Sequence, residues 1–294
     1  MGRSATLASW RPDPGNPKQQ VAMLVDTTEC IGCKACEVAC KQWNQNEYRI
    51  NQELGTYQSH PSLDAQTWTL IKFIEREDEA GNNQWLMQKH NCMHCTEAGC
   101  VTACPTDALH YGDYGVVTLS EDKCIGCAYC EPACPFDAIH VDKSAFRQTA
   151  QKAGKCTLCF DRISSAMQPA CVSTCPTDCI KYGDRGELLK WAYARVEQLK
   201  ALGYANANVY GDKELGGLHE LYVLLEKPEV YGLPVNPTLS KKLTFWKYGL
   251  QPVGKALLGA AVFGMVINWF AARRTFKGGH GPGEDPATAA SLHE

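Results

Sequence analysis

Cysteine is the residue type that could do chemistry in this sequence. The chain has 17 cysteines among 294 residues, and an odd number cannot pair completely as disulfides. Sixteen of them fall into four groups with short spacing. The groups are Cys30, Cys33, Cys36 and Cys40; Cys92, Cys95, Cys100 and Cys104; Cys124, Cys127, Cys130 and Cys134; and Cys156, Cys159, Cys171 and Cys175. Four thiolates can complete the coordination of a metal centre, so the sequence predicts metal binding.

The spacing within the groups favours iron–sulfur clusters. The third group and Pro135 read C-x2-C-x2-C-x3-C-P, the run that binds cubane clusters in bacterial two-cluster ferredoxins. The first group has the same spacing with Lys41 in place of proline, and the other two groups widen one gap. Loops of two residues let neighbouring sulfurs reach adjacent irons of one cubane. We therefore expect four [4Fe–4S] clusters.

Structural zinc is the alternative metal, because C-x2-C pairs are also typical of zinc sites. Zinc sites usually combine two such pairs a dozen or more residues apart, whereas here three thiols twice crowd into seven residues. A c-type haem is excluded because no C-x-x-C is followed by histidine.

The fourth cysteine of each group is expected to serve a different cluster from the first three, as in two-cluster ferredoxins. The second and third groups are joined by 19 residues and form a natural pair, which leaves the first group with the fourth. The predicted ligand sets are set 1, Cys30, Cys33, Cys36 and Cys175; set 2, Cys92, Cys95, Cys100 and Cys134; set 3, Cys104, Cys124, Cys127 and Cys130; and set 4, Cys40, Cys156, Cys159 and Cys171.

The segments after three of the cysteine groups repeat as PTDALHYGD, PFDAIHVDK and PTDCIKYGD. In this register Cys179 aligns with Ala108 and Ala138, so we expect it to fill a small core position and to bind no metal. The repeats predict an α+β fold of two pseudo-symmetric, bacterial-ferredoxin-like two-cluster modules, one nested in the other, plus a C-terminal transmembrane helix.

The expected domain boundaries follow from this arrangement. They are 1–20, an extended arm; 21–91, the first part of the outer module with a hairpin insertion; 92–145, the inner module; 146–240, the rest of the outer module with an amphipathic helix and a strand; 241–274, the anchor; and 275–294, a disordered tail.

Local patterns predict three further elements. WTLIKFIE and WLMQK around AGNN indicate one hairpin, and ALHY and VVTL around GDYG indicate another. Asp184 and Glu187 resemble a capping box before a helix. The apolar stripe of that helix is more typical of a core face than of a partner surface, and it consists of Leu188, Ala192, Val196, Leu199 and Leu202.

Residues 248–272 carry one charge, Lys255, and are long enough to span a bilayer. Trp246 and Trp269 lie roughly 34 Å apart along a helix, close to the spacing of two interfacial belts. A buried core helix is the alternative. The basic residues on the two sides nearly balance, so charge does not decide the orientation; they are Lys241, Lys242, Lys247 and Lys255 against Arg273, Arg274 and Lys277.

The remaining features exclude several functions. A net charge of −3 lacks the basic excess of a nucleic-acid binder. No Walker loop, G-x-S-x-G, H-E-x-x-H or dinucleotide motif is present, so catalytic residues are expected to be absent and the chain needs partners to supply and accept electrons. His94 is expected either to pack locally or to donate a hydrogen bond near a cluster sulfur. The first 20 residues lack an apolar stretch and twin arginines, so we expect no export signal there.

The motifs CIGCKACEVACKQWN, CMHC, CIGCAYCEPACPF, KCTLCFDR and CVSTCPT, with KALGYANANVYGDKELGGLHELYVL and one C-terminal apolar helix, together resemble the iron–sulfur beta subunit of membrane-bound formate dehydrogenases of the formate dehydrogenase-N type. The cysteine groups alone are shared with relay subunits of dimethyl sulfoxide, polysulfide and nitrate reductases and of some hydrogenases, which are the alternative family members. A membrane-tethered zinc scaffold is the remote alternative.

The resemblance implies a relay of electrons from a formate-oxidising alpha subunit, which holds molybdenum or tungsten and a pterin, to a cytochrome b gamma subunit and quinone. It also implies a single-pass protein of the cytoplasmic membrane with its bulk on the periplasmic side. All sixteen ligand positions carry cysteine, so the tryptophan replacement found in nitrate reductase relatives is absent.

Overall fold

The structure is a computed structural model that describes residues 10–13, 15–16, 18–48, 55–78, 81–142, 151–239 and 245–278. It divides the chain into two units, Met1–Leu243 and Thr244–Glu294. The strands are β1 (Val21–Asp26), β2 (Thr69–Glu77), β3 (Asn83–Asn91), β4 (Leu109–Tyr111), β5 (Val117–Leu119), β6 (His140–Val141), β7 (Ala153–Gly154), β8 (Ile180–Asp184), β9 (Asn208–Tyr210) and β10 (Glu220–Leu224). The α-helices are α1 (Ala35–Asn44), α2 (Gly99–Ala103), α3 (Phe160–Ser164), α4 (Ala170–Ser173), α5 (Arg185–Ala201) and α6 (Gln251–Gly278).

A four-stranded mixed sheet organises the first unit, with the strand order β8-β1-β10-β9. β1 pairs in parallel with β10 and antiparallel with β8. All six residues of β1 are buried. Its sequence, VAMLVD, is apolar until the last residue, as expected for a strand that is covered on both faces.

The two faces of this sheet border different parts of the core. Because side chains alternate along a strand, Ala22 and Leu24 share one face, where they pack with buried side chains of α5. Met23 lies on the opposite face, and its Sδ is 3.6 Å from the Sγ of Cys171. The sheet therefore has a helix on one side and the cysteine-rich core on the other.

Helix α5 confirms most of its sequence prediction. The Asp184 carboxylate accepts hydrogen bonds from two backbone N–H groups of the first turn, which caps the helix. The buried side chains of the stripe are those of Leu188, Ala192, Val196 and Leu199. The prediction is wrong for Leu202, which is 72% exposed because it lies in the turn that ends the helix.

Both predicted hairpins are confirmed. β2 and β3 pair antiparallel over nine residues, and β4 and β5 pair antiparallel around the predicted turn. β6 and β7 form a further short antiparallel pair.

Strands that flank the cysteine groups pair in a repeated way. β1 leads into the first group and pairs with β8, which leads out of the fourth. β4 leads out of the second group and pairs with β5, which leads into the third. The β1–β8 pair therefore brings the first cysteine group beside the fourth, although they are far apart in the chain.

The second unit contains α6, which follows a π-helical turn at Trp246–Leu250. Its segment Gln251–Arg274 is long and apolar enough to cross a membrane and is not buried. The helix continues to Gly278, so residues 275–278 are helical and not part of the predicted tail. The rest of that tail lies outside the described residues, as do residues 1–9, 14 and 17 of the predicted arm.

A buried ion pair links the β2–β3 hairpin to the central sheet. Lys89 Nζ on β3 lies 2.7 Å from Glu220 Oε1 on β10, and the two side chains are 1% and 0% exposed. Lys89 also donates to Asn91 Oδ1 at 2.6 Å. Burial alone lowers the pKa of Lys89, but the Glu220 carboxylate and nearby thiols raise it well above its ordinary value, so the ammonium stays charged.

Replacing Lys89 with methionine should destabilise the protein strongly, because it leaves a buried carboxylate without a partner. The expected loss is about 3–5 kcal/mol, or a fall in Tm of roughly 6–20 °C, measured by thermal unfolding of iron-loaded protein at one scan rate. Adding Glu220→Gln to Lys89→Met should recover most of the loss.

The matched control is Lys190→Met. Lys190 also lies 2.7 Å from a carboxylate oxygen, that of Glu187, but both side chains are exposed, so its loss should leave Tm unchanged. Equal Tm values for the two single variants would contradict the structural role of the Lys89 pair.

Candidate metal centres

The sixteen grouped cysteines all lie in the first unit, on loops and short helices beside the paired strands. All 17 cysteines are free thiols. The side chains are therefore available as metal ligands.

The predicted members of set 1 line one cavity that is partly open to solvent. Cys30 and Cys33 lie on the loop after β1, Cys36 is in α1, and Cys175 lies between α4 and β8. Lys89 and Cys179 line the same cavity. The β1–β8 pairing explains how Cys175 reaches cysteines that precede it by more than a hundred residues.

The predicted members of set 3 line a second cavity, which is also partly open to solvent. Cys104 precedes β4, and the other three cysteines follow β5. The β4–β5 pairing thus brings the fourth cysteine of one group to the first three of the next. The cavity-lining cysteines are Cys104, Cys124, Cys127 and Cys130.

Within set 2, and likewise within set 4, neighbouring thiols raise the pKa of a cysteine of the same set. Burial raises the pKa of Cys95 well above its ordinary value, and three neighbouring thiols raise it further; these are Cys92, Cys134 and Cys100. Burial likewise raises the pKa of Cys159, and the thiols that add to this effect are Cys171, Cys156 and Cys40. Because Coulomb interactions weaken with distance, Cys95 and Cys159 each lie near the other three thiols of their set.

The first C-x-x-C loop of each group has a left-handed residue before its second cysteine. The φ angle there is 65° at Gly32, 46° at His94, 69° at Gly126 and 54° at Leu158. Glycine adopts this conformation freely, whereas His94 and Leu158 do so at a cost of roughly 1–2 kcal/mol each. Four loops with three different sequences, CIGC twice, CMHC and CTLC, therefore share one backbone turn, as a repeated ligand loop requires.

The three C-P-x-D segments share a second left-handed turn, with φ of 52° at Asp107, 51° at Asp137 and 58° at Asp178. The turn directs the next backbone N–H back to the cysteine, so that Ala138 N donates to Cys134 Sγ at 3.5 Å. Such N–H groups stabilise a sulfur that carries negative charge.

Cys175 receives the strongest support of this kind. Hydrogen bonds to its sulfur, the largest from the Cys179 thiol and others from the N–H groups of Ile180 and Cys179, lower the pKa of Cys175 to about 5.

Burial makes most of the other thiols weak acids. It raises the pKa of Cys40 to about 11 and those of Cys130 and Cys156 to about 12. An isolated thiolate in these positions would be costly. A metal that binds these sulfurs replaces their protons, which couples metal binding to proton release and to folding.

The donor set fits a [4Fe–4S] cluster. Thiolates are soft ligands that favour iron–sulfur clusters, zinc and copper. Further backbone N–H groups face sulfurs, namely Ala153 N to Cys124 Sγ at 3.5 Å and Leu158 N to Cys156 Sγ at 3.4 Å. Within the described ranges, no three Cys, His, Asp or Glu side chains converge closely enough to hold a single ion; in sets 1 and 3 the thiols instead surround cavities.

Two buried lysines, which the sequence analysis missed, lie among the ligand sets. Lys89 lines the cavity of set 1. Lys155 is 1% exposed, and its Nζ donates to the carbonyl oxygens of Val117 at 2.6 Å and Cys156 at 2.7 Å. Its position directly before Cys156 was the one available sequence signal. Without these two ammonium groups, the buried charges around metal-binding thiolates would all be negative.

His94 is fully buried, and its Nδ1 accepts a hydrogen bond from the backbone N–H of Val117 at 3.1 Å. Burial lowers the pKa of His94 well below its ordinary value, so the ring is neutral and carries its proton on Nε2. Nε2 has no hydrogen-bond partner within the described part of the chain. Donation by His94 to a cluster sulfur stays a prediction.

Comparison with known protein families agrees with this donor set. The chain matches the 4Fe-4S dicluster domain in two forms, over residues 29–108 and over residues 83–185. Together these ranges contain all sixteen grouped cysteines.

Three relatives are similar over most of the chain. The formate dehydrogenase iron-sulfur subunit of Haemophilus influenzae is 41% identical over 88% of this chain and 82% of its own length. The nitrate-inducible formate dehydrogenase iron-sulfur subunit of Escherichia coli is 40% identical over 91% and 90%, and the formate dehydrogenase-O iron-sulfur subunit of the same species is 38% identical over 96% and 91%. With its cysteine-lined cavities and these relatives, the chain belongs to the family of formate dehydrogenase iron–sulfur subunits, which transfer electrons within an enzyme complex.

Proposed function

We propose that this chain carries four [4Fe–4S] clusters and relays electrons from a formate-oxidising catalytic subunit to a membrane cytochrome b subunit and quinone. The observation that carries the proposal is that cysteines from distant groups line common cavities. The proposed ligands are those of set 1 (Cys30, Cys33, Cys36, Cys175), set 2 (Cys92, Cys95, Cys100, Cys134), set 3 (Cys104, Cys124, Cys127, Cys130) and set 4 (Cys40, Cys156, Cys159, Cys171). A bound cluster supplies one-electron oxidation and reduction at each site.

The strand pairings support the nested arrangement of two modules. β4 and β5 join the second and third cysteine groups in an inner module at 92–145. β1 and β8 join the first and fourth groups in an outer module, whose two parts are 21–91 and 146–240. In both modules the strand before one cysteine group pairs with the strand after another, which is the basis of the proposed pseudo-symmetry.

We propose the order set 1, set 4, set 2, set 3 for the four sites. After burial, which is the main cause, the pKa of Cys36 in set 1 is raised by Cys171 in set 4. The pKa of Cys156 in set 4 is likewise raised by burial and, to a smaller extent, by Cys92 in set 2. The pKa of Cys100 in set 2 is raised by burial and, to a smaller extent, by Cys130 in set 3. Electron tunnelling falls off steeply with distance, so a relay through neighbouring sites carries electrons faster than one long transfer.

The two ends of this order reach the surface. Cys33 in set 1 and Cys127 in set 3 are exposed. Next to them Ile31 is 59% and Ile125 56% exposed. We assign these two loops to the contacts through which electrons enter and leave.

The partners are an alpha subunit with molybdenum or tungsten and a pterin, and a cytochrome b gamma subunit. The relatives are named as iron–sulfur subunits of formate dehydrogenases, which favours formate as the electron source over the substrates of related reductases or hydrogenases. The role of this chain's residues is to hold the redox sites in order and to keep bulk water away from the inner two.

Helix α6 anchors the chain as a single pass in the cytoplasmic membrane, with the ferredoxin-like unit on the periplasmic side. The exposed apolar surface of Gln251–Arg274 supports the span. Arg273 lies over the ring of Trp269, with its Cζ 4.3 Å from the ring centroid, which suits an interfacial end of the helix.

Replacing Cys130 with serine should remove one cluster, because set 3 then loses one of its four cysteine ligands. The expected loss is about four irons and about four sulfides per chain, measured in anaerobically purified complex together with the electron paramagnetic resonance spectrum after dithionite reduction. Full iron content would contradict the ligand set, and zinc without acid-labile sulfide would instead establish the scaffold alternative.

In the wild-type complex, formate should elicit the cluster signals; if only another reductant does so, the chain serves a related enzyme.

Ending the chain at Leu243 should release it from the membrane, because this removes α6. Full-length protein should stay in the membrane pellet after alkaline carbonate extraction, whereas the truncated chain should appear in the supernatant. A control that ends at Gly278 keeps the helix and should behave as the full-length chain does. Retention of the shorter chain in the extracted pellet would count against the anchor.

A further inference from the structure

The cysteine outside the four ligand sets lies within the cavity of set 1. Cys179 is 4% exposed, and its Sγ is 3.5 Å from the Sγ of Cys175. It lines the cavity together with all members of set 1. A fifth sulfur therefore borders a site that needs four.

The repeated segments show that packing does not require this sulfur. The positions equivalent to Cys179 are occupied by Ala108 and Ala138, which are as deeply buried, at 1% and 4% exposure. At Ala138 the backbone N–H donates to the sulfur of the preceding C-P cysteine at 3.5 Å, and the same left-handed turn precedes Ala108 and Cys179. Alanine thus completes the same turn twice in this chain, and Cys179 adds a side-chain donor to it.

The direction of the hydrogen bond between Cys175 and Cys179 follows from which of the two sulfurs carries a proton. Either sulfur could donate when both are thiols, but an iron-bound Cys175 has no proton to give. The Sγ of Cys179 lies 3.5 Å from that of Cys175, so Cys179 is the donor of this pair when Cys175 binds iron.

We propose that Cys179 is a positioning residue that donates an S–H···S hydrogen bond to the cluster ligand Cys175 and thereby raises the reduction potential of the cluster in set 1. Reduction adds one electron and hence negative charge to the cluster and its sulfurs. A donor to a ligand sulfur stabilises that charge more in the reduced than in the oxidised state, so the potential rises. No bond to Cys179 forms or breaks. The inference rests on the proposed ligand set 1.

The test is a potentiometric titration of the whole complex followed by electron paramagnetic resonance, with Cys179→Ala. Iron and acid-labile sulfide should be unchanged, and the midpoint potential of one cluster should fall while the other three stay fixed. Cys179→Ser retains a hydrogen-bond donor and should restore much of the shift. Four unchanged potentials in Cys179→Ala, or a loss of about four irons, which would make Cys179 a ligand, would overturn the proposal.

A second variant separates this proposal from the assignment of the ligands. Cys175→Ser replaces a ligand sulfur and should alter the signal of the same cluster that responds to Cys179→Ala. If Cys175→Ser changes no signal, ligand set 1 is wrong. If Cys175→Ser changes one signal and Cys179→Ala changes none, the ligand set stands and the hydrogen bond is refuted.

Discussion

The constraint on which this structure depends is the burial of negative charge. Most of the grouped cysteines are buried or partly buried, and a thiolate in that environment is stable only beside cations and hydrogen-bond donors. The fold supplies both around the sulfurs. Backbone N–H groups face the sulfurs of Cys124, Cys134 and Cys156, and the ammonium groups of Lys89 and Lys155 lie inside the core. We therefore expect metal loading and folding to be coupled.

The backbone meets this constraint with repeated left-handed turns. One turn precedes the second cysteine of each first C-x-x-C pair, and another lies at the aspartate of each C-P-x-D segment. Where the sequence has Gly32 and Gly126 the turn costs little. Where it has His94 and Leu158 the same conformation is held by the surrounding structure, which marks a geometry set by the site and not by local preference.

Much of the fold could be predicted from local patterns, because alternation, helical spacing and cysteine spacing act over short distances. The two hairpins, the capping role of Asp184 and the apolar α6 were predictable in this way. Contacts between distant segments were not. The parallel pairing of β1 with β10 and the ion pair of Lys89 with Glu220, 131 residues apart, leave no local signal. The prediction that Leu202 is buried was wrong because the apolar spacing of the sequence continues past the residue at which the helix ends.

The central position of β1 has a consequence for how the protein is made. Its last neighbour in the sheet, β10, lies so late in the chain that the Thr27 hydroxyl donates to the Val223 carbonyl 196 residues further on. At ordinary ribosome speeds, an apolar strand with open edges waits about 10–40 s for this partner. Open edges of that kind invite association between chains. The yield of functional protein therefore depends on what covers β1 during translation.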